Sequence, residues 1–463
     1  MIKVTITCAV IVLLSTADAQ QCNSQFWSAG HDFKNRQYSH VNATSPGDCC
    51  AKCAKYSDKD IGQCKFWTFD GVGTCWLKSN NAGYRAGDKK ITCGSVDNVP
   101  LPTPAPTPPP TPAPPTPAPF PPSPTPAPTP WDGKPVQVYI MMGQSNMLGE
   151  GQIFETGSRK NGSLEFAVRE EGKYQYLLTP DKQNWAVLPN TRNVFVMGNG
   201  NGTYETSRLE NNESMTIDPA LNHRKTIGPE FGISHFGGSF KQDKVMLLKS
   251  CIGDRALGWD LLPPGSAGFD YTGSDNVTYT YAGYGESPMK WKKSDPKPAP
   301  IGWYAGAQWD GDTRNAQYVL DHLDQFYPGA QKYEIAGFFW WQGDKDSRDM
   351  GLSTQYEKNL VNLIKALRST FKAPNAPFVT ASLGQTVKGS TGGDGLILDA
   401  MLNVDGTSGK YPDFKGNVAA VYTNPLMHTP GSSGGHYGKD SETYMNVGEA
   451  MGAAMAKLKQ GQQ

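Results

Sequence analysis

One serine follows closely on the glycine that ends an apolar stretch of the chain. Residues 136–142 have strand character, Gly143 comes next, and Ser145 is followed by Asn146. A strand that ends in a sharp turn exposes a serine hydroxyl at a sheet edge, where a base and a substrate can reach it. Because Met147 replaces the second glycine of a Gly-x-Ser-x-Gly turn, the spacing alone leaves open whether Ser145 is a nucleophile or only a turn residue.

Other polar residues follow later strand-like segments. Gly253 lies within residues 251–255, after the second such segment, and could present a bare backbone N–H. Polar residues also end the third segment, at 340–346, and His436 follows the fifth. Histidine can take the proton of a serine hydroxyl, a carboxylate can orient the ring, and N–H donors can stabilise an oxyanion. These residue types predict acyl transfer through a covalent serine intermediate.

The segments that must position these residues alternate between strand and helix patterns from Trp131 onward. The predicted strands are 136–142, 244–250, 334–341, 378–383 and 417–423, with amphipathic helices between them and a last helix from about residue 442. Such alternation predicts an α/β fold with a parallel sheet covered by helices and ligands at the carboxyl ends of the strands. Two Gly- and Asn-rich stretches, 150–243 and 252–312, are predicted to be loops over that edge.

The totals indicate a multidomain, secreted protein. The chain has 463 residues, and 43 basic residues balance 43 acidic ones, so no net field favours nucleic acid or an anionic membrane. Residues 1–19 read as a signal peptide, and no later segment is long enough to span a bilayer. We therefore predict an extracellular protein. Five Asn-x-Ser/Thr sequons fit a glycoprotein: Asn42, Asn161, Asn201, Asn212 and Asn276.

Most cysteines lie in one short segment near the amino terminus. Seven fall between residues 22 and 93, which predicts a small domain held together by disulfides. Residues 99–130 are a Pro/Thr-rich linker, expected to be a stiff polyproline II spacer. Cys251 stands apart and is predicted to be a small buried residue. No residues have the spacing of metal ligands, and we predict neither a metal nor a cofactor.

The cysteine-rich segment, residues 22–94, resembles a PAN/apple module. The resemblance implies nested disulfides of Cys22 with Cys93, Cys49 with Cys75 and Cys53 with Cys64. It also implies binding of a glycan or a matrix protein, although a small spacer without a ligand is an equal alternative. The choice between Cys49 and Cys50 stays open. The left-over cysteine could be free, pair with Cys251 or bridge to another chain.

Two blocks near the predicted strand ends, Gly143–Met147 and Trp341–Asp346, resemble the sialate O-acetylesterase-like carbohydrate esterases of the SGNH hydrolase superfamily. The resemblance covers about residues 135–458 and implies a flavodoxin-like three-layer sandwich with a parallel sheet, in a catalytic domain at 131–460. It implies that Ser145 is the nucleophile and His436 the base, with His428 as the alternative. The implied oxyanion hole consists of the Ser145 and Gly253 N–H groups and the side-chain amide of Gln342.

One position departs from the family pattern. Relatives often carry an acid three residues before the histidine, where this chain has Ser433. Asp344 fills the place of the glutamate in the family's Gln-Gly-Glu block, and we predict that it orients His436. Asp346 and Asp440 are the alternatives. The predicted substrate-binding residues are Gln144, Asn146, Glu230 and Trp341.

The combined hypothesis is a secreted carbohydrate O-acetylesterase whose substrate is an acetylated glycan. Ser145 would form an acetyl-enzyme intermediate, which water would then hydrolyse. A non-catalytic glycan-binding or matrix protein that retains the fold is the alternative. An esterase acting on a lipid or thioester is a third possibility. The polar Gly- and Asn-rich loops argue against it.

Overall fold

The computed structural model divides the chain into two compact units, residues 1–120 and 121–463. The structure describes residues 27–29, 31–33, 39–58, 62–71, 73–79, 84–86, 92–96, 133–154, 162–198, 207–219, 221–222, 224–236, 244–428 and 435–461.

The first unit is a small α+β structure. Its helix α1, Pro46–Lys55, begins where the Ser45 side chain accepts a hydrogen bond from the Asp48 N–H. A five-stranded antiparallel sheet has the order β1-β9-β6-β7-β3. The strands of this unit are β1 Trp27–Ala29, β2 His31–Phe33, β3 Ser39–Asn42, β4 Ser57–Asp58, β5 Gly62–Gln63, β6 Phe66–Phe69, β7 Thr74–Lys78, β8 Tyr84–Ala86 and β9 Thr92–Ser95.

Two disulfides join α1 to the strand region. Cys49 is bonded to Cys75, and Cys53 to Cys64. These are two of the three pairings that the PAN/apple resemblance implied, and Cys22 of the third lies outside the described residues. Cys50 is also disulfide-bonded. Cys251 in the second unit is a buried free thiol, so neither a free Cys50 nor a bond between these two residues is present.

The second unit contains the larger sheet. Its strands are β10 Val136–Gly143, β11 Gly151–Gln152, β12 Leu188–Met197, β13 Arg208–Met215, β14 Thr226–Ile227, β15 Val245–Ser250, β16 Phe269–Thr272, β17 Thr278–Tyr281, β18 Lys290–Lys292, β19 Tyr333–Trp341, β20 Phe378–Ala381 and β21 Val418–Val421. Its α-helices are α2 Ser145–Leu148, α3 Leu164–Arg169, α4 Glu230–Phe236, α5 Ala307–Asp321, α6 Leu323–Phe326, α7 Asp344–Ser347, α8 Met350–Thr370, α9 Gly392–Val404 and α10 Ser441–Gln460. Short 3₁₀ turns occur at Gln175–Leu177, Pro412–Phe414, Asn424–Leu426 and His436–Lys439.

The seven-stranded sheet has the order β13-β12-β15-β10-β19-β20-β21. All neighbours are parallel except β13, which pairs antiparallel with β12. The five predicted strands are confirmed, and among themselves they run 2-1-3-4-5, the order of flavodoxin-like folds. The order reverses between β10 and β19, so ligands are expected where these strands end.

Helices cover both faces of the sheet. Val138 and Ile140 of β10 pack into one apolar core with residues of α5, α8 and α9. Tyr139 and Met141, which alternate with them, pack into a second core with α4 and α10. Every residue of β15 is buried, as expected for a central parallel strand. The predicted α/β architecture is therefore confirmed, with helices on both faces of a mixed sheet.

The two long segments predicted as loops contain regular structure. β12 and β13 lie within residues 150–243, and the small antiparallel sheet β16-β17-β18 lies within 252–312. The loop prediction was wrong for both segments, and the edge strand β13 was missed because it reads Arg-Leu-Glu-Asn-Asn-Glu-Ser-Met. An edge strand buries little apolar surface, so its sequence carries a weak strand pattern.

Candidate active site

Ser145 opens helix α2 directly after β10. At Gly143 φ is 152°, and a Cβ there would overlap the carbonyl oxygen of Trp341 on β19. Only glycine therefore allows the two strand ends to come this close. The Gln144 N–H donates to that same carbonyl at 3.2 Å. Ser145 is half-buried, and its hydroxyl makes no hydrogen bond to any residue that the structure describes.

The loop after β15 lies against this serine. A Cβ built on Gly253 would lie 3.4 Å from the Ser145 Cβ, so a side chain at this position would contact the serine and the two residues are close neighbours. Within the described part of the chain, the Gly253 N–H has no hydrogen-bond acceptor. The structure thus brings together the serine and the glycine for which the family resemblance implied a shared oxyanion hole.

Gln342, the predicted third oxyanion donor, is engaged elsewhere. Its amide donates to the carbonyl of Arg255 at 2.9 Å and to Asp346 Oδ2 at 2.6 Å, while the Tyr356 hydroxyl donates to its oxygen at 2.9 Å. Both amide N–H groups have protein acceptors, contrary to the expectation that one faces an oxyanion. The ionisable Asp346 carboxylate is the stronger acceptor and holds the amide inward.

Asp346 fixes the loop that carries Gly253. Its two oxygens accept the N–H groups of Leu257 and Gly258, each at 2.7 Å. Burial raises the pKa of Asp346 to about 6, and these N–H donors oppose that rise. Its acceptor sites are occupied by the loop and by Gln342, so it is not placed to orient a histidine.

Asp344 begins α7, immediately after Gly343. Its carboxylate pairs with Arg348 one turn later. Burial raises the pKa of the Tyr437 hydroxyl, and the Asp344 charge raises it further, which places this carboxylate within electrostatic reach of the residue next to His436. No described hydrogen bond joins Asp344 to the histidine.

His436 lies in a left-handed turn. The φ angles are 60° at His436, 54° at Tyr437, 63° at Gly438 and 65° at Lys439. The left-handed conformation costs roughly 1–2 kcal/mol for each non-glycine residue, so the surrounding structure must hold the turn in place. The His436 side chain itself is exposed.

Tyr437 anchors that turn beside the serine. Its hydroxyl accepts hydrogen bonds from the Asn146 side chain at 2.7 Å and from the Gly384 N–H at 3.2 Å. Its ring stacks on Trp341, with the ring centroids 5.8 Å apart. Asn146 directly follows Ser145, so a single hydrogen bond connects the serine turn with the histidine turn.

The four predicted substrate-binding residues are all buried. Gln144 and Glu230 are each 2 % exposed, Asn146 is 6 % exposed, and Trp341 is fully buried. The side-chain oxygen of Gln144 instead accepts hydrogen bonds from the backbone N–H groups of Gly343 and Lys345. These side chains therefore build the site rather than line its surface.

His428, the alternative base, contacts the start of α10. Its Nδ1 lies 2.9 Å from Asp440 Oδ2 and 3.3 Å from a Glu442 oxygen. The other Asp440 oxygen caps the helix by accepting the Thr443 N–H. Lys173 pairs with Glu442 at 2.5 Å. Asp440, the alternative acid, therefore orients His428 and not His436.

Comparison with protein families decides the enzyme class. Residues 303–457 match the family described as carbohydrate esterase, sialic acid-specific acetylesterase. This segment is similar to the carbohydrate esterases. It includes the strand end that carries Gln342 and Asp344 and both candidate bases, His428 and His436. The protein is accordingly a carboxylic-ester hydrolase.

Several solved structures are similar to the esterase. A protein from Arabidopsis thaliana is 17% identical, with a TM-score of 0.40, and the match covers 70% of this chain and 98% of that one. A carbohydrate acetylesterase from Xanthomonas citri is 13% identical, with a TM-score of 0.39 and coverages of 69% and 55%. NanS is 13% identical, with a TM-score of 0.32 and coverages of 64% and 80%. None of the curated proteins matches the chain.

Sequence reasoning missed the anchoring role of Tyr437 and the burial of Lys249. An aromatic residue beside a histidine gives no signal of its own, whereas a lysine inside an apolar strand does.

In the described part of the esterase, no helix is long and apolar enough to cross a bilayer. Among the same residues, no group of three or more His, Cys, Asp or Glu side chains could hold a metal ion.

Proposed function

We propose that the esterase is a secreted carbohydrate O-acetylesterase in which Ser145 is the nucleophile and His436 the general base. The observation that carries the proposal is the Tyr437 hydroxyl, which accepts from Asn146 and Gly384. This contact supports a histidine turn held directly beside the serine turn. The strained backbone of the same turn supports a functional role, because such strain concentrates at active sites.

In the proposed reaction His436 takes the proton of the Ser145 hydroxyl, and the oxygen attacks the acetyl carbonyl. The N–H groups of Ser145 and Gly253 stabilise the oxyanion, each contributing roughly 3–4 kcal/mol to lowering the barrier. The sugar alcohol leaves with the proton from His436. A water molecule that His436 deprotonates then attacks the acetyl-enzyme, and acetate leaves as Ser145 regains its proton.

The acid and the third donor act in different ways in this proposal. Asp344 stabilises the His436 imidazolium, because its charge already acts on the neighbouring Tyr437. Gln342 contributes through the backbone, since it holds the carbonyl of Arg255 and with it the loop of Gly253. The alternative acid, Asp346, supports that same loop.

The first unit is proposed to be a PAN/apple-like module that binds a glycan or matrix protein, joined to the esterase by the Pro/Thr-rich linker. Its two described disulfides support an oxidising compartment. Expression of the full chain in a secreting eukaryotic host should release protein whose first residue is Gln20. Retention of residues 1–19 on the released protein would contradict the proposed signal peptide.

The catalytic assignment is tested by acetate release from 4-nitrophenyl acetate and from an acetylated polysaccharide. Ser145→Ala and His436→Ala should each lower kcat by at least about a thousandfold, while His428→Ala should retain most of it. Ser294→Ala, on the exposed loop after β18, is the matched control. Full activity in Ser145→Ala would refute the proposal, and loss confined to His428→Ala would transfer the base role to that residue.

A further inference from the structure

Lys249 is a charged residue inside a fully buried strand of the sheet. All six residues of β15 are buried, and the Lys249 side chain is 1% exposed. Its ammonium pairs with Glu230 Oε2 at 2.7 Å, and Glu230 is 2% exposed. Burial lowers the pKa of Lys249, while the Glu230 charge opposes that change. The two charges are thus enclosed together.

The ammonium also contacts the serine turn. Lys249 Nζ donates to the carbonyl of Leu148 at 3.1 Å, and Leu148 is the last residue of the helix that Ser145 opens. Carbonyls at the end of a helix lack partners within it and need donors from elsewhere. A second cation, Arg224, donates to the next carbonyl, that of Gly149, at 3.3 Å.

Glu230 binds the backbone segment that packs against the serine turn. Its Oε1 accepts the Gly228 N–H at 3.1 Å. A Cβ on Gly149 would overlap the Gly228 backbone, and a Cβ on Gly228 would lie 2.9 Å from the carbonyl oxygen of Met147. The ion pair therefore connects two backbone segments that are packed without any intervening side chain.

An apolar pair of similar volume could fill this space at no loss of stability, because desolvation offsets most of the attraction within a buried ion pair. Such an apolar pair could not make the hydrogen bonds to the Leu148 carbonyl and the Gly228 N–H. We propose that Lys249 and Glu230 are positioning residues, which set the orientation of the Ser145 turn relative to Gly253. The proposal rests on the proposed function of Ser145.

The test uses the double variant Lys249→Met/Glu230→Leu in the full-length protein, because either single change would leave one buried charge unpaired. The double variant should fold, with a Tm close to that of the natural chain. Its kcat should fall about tenfold to a hundredfold with KM little changed, since misplacement of a reacting group by about 1 Å has effects of this size. Phosphorylation of Ser145 by paraoxon should slow by a similar factor.

Ile364→Val, in the core on the opposite face of the sheet, is the control for a general loss of stability. It should lower Tm slightly and leave kcat and the paraoxon rate unchanged. A double variant with natural kcat and natural paraoxon reactivity would overturn the positioning role. Ser145→Ala with natural activity would instead overturn the proposed function, so the two failures are distinguishable.

Discussion

The serine side and the histidine side of the proposed site are held in different ways. Buried polar side chains support Ser145 and Gly253. Lys249 contacts the backbone near Ser145, and Asp346 contacts the backbone near Gly253. The His436 turn lies at the surface, and the Tyr437 hydroxyl and ring provide its contacts with β19, with Gly384 after β20 and with the serine turn. One side is rigid because it is enclosed; the other depends on few contacts.

This difference has a physical basis. A general base must present its imidazole to the substrate and to water, so its support comes mainly from neighbouring residues. An oxyanion hole needs only backbone N–H groups, which buried side chains can fix from behind. Changes that leave a buried polar group on the serine side without its partner should therefore affect stability and activity together, whereas changes on the histidine side should affect activity more than stability.

The largest expected effect is at Asp346. Its folded-state pKa of about 6 lies above the ordinary value of 3.8, so its contribution to stability is full below pH 4 and is lost as the pH rises through 6. The loss should be on the order of 3 kcal/mol. Asp346→Asn should remove this slope and, because an amide cannot accept from both loop N–H groups as the carboxylate does, should also lower kcat.

The measurement is the free energy of unfolding from pH 4 to pH 7 for the natural chain and for the variant. Asp413→Asn, whose side chain is 80% exposed, is the control and should leave the slope unchanged. An identical slope in the natural chain and Asp346→Asn would mean that the carboxylate is not desolvated as the structure indicates.

An intermediate effect is expected at Tyr437. Tyr437→Phe leaves the Asn146 amide and the Gly384 N–H without their acceptor, which should cost about 1–3 kcal/mol and loosen the histidine turn. We expect kcat to fall about tenfold to a hundredfold. Tm should fall modestly, because the protein stays folded. Steady-state kinetics and thermal unfolding measure both.

Tyr444→Phe is the matched control for this change. The Tyr444 ring belongs to the same aromatic group, but its buried hydroxyl lacks a hydrogen bond of ordinary geometry in the described structure. Its removal should leave kcat unchanged. Equal losses in the two variants would indicate that ring packing, and not the Tyr437 hydroxyl, holds the turn.

The smallest expected effect is at Lys439. Its φ of 65° is costly for any residue with a side chain, so Lys439→Gly should raise the free energy of unfolding by about 1 kcal/mol. The same substitution at Lys358, exposed within α8, should lower it by about 1 kcal/mol. Chemical denaturation compares the two; a loss of stability at both positions would show that the turn is not strained.

Much of the fold followed from local patterns. The five parallel strands read as apolar segments because both faces of such strands are buried, and the helices between them carried one apolar face. Edge strand β13 and the small sheet β16-β17-β18 did not follow, since polar strands with one covered face resemble loops. The two described disulfides came from the family resemblance, not from spacing.

The sequence by itself determined which residue types meet at the strand ends: a serine after β10, a glycine after β15, an amide and carboxylates after β19, and a histidine before α10. Only the tertiary structure decided what each polar side chain does. It enclosed Gln342 with Asp346, and Glu230 with Lys249, and it joined Asn146 to Tyr437. A buried polar group must find a partner, and packing of distant segments decides which partner lies within reach.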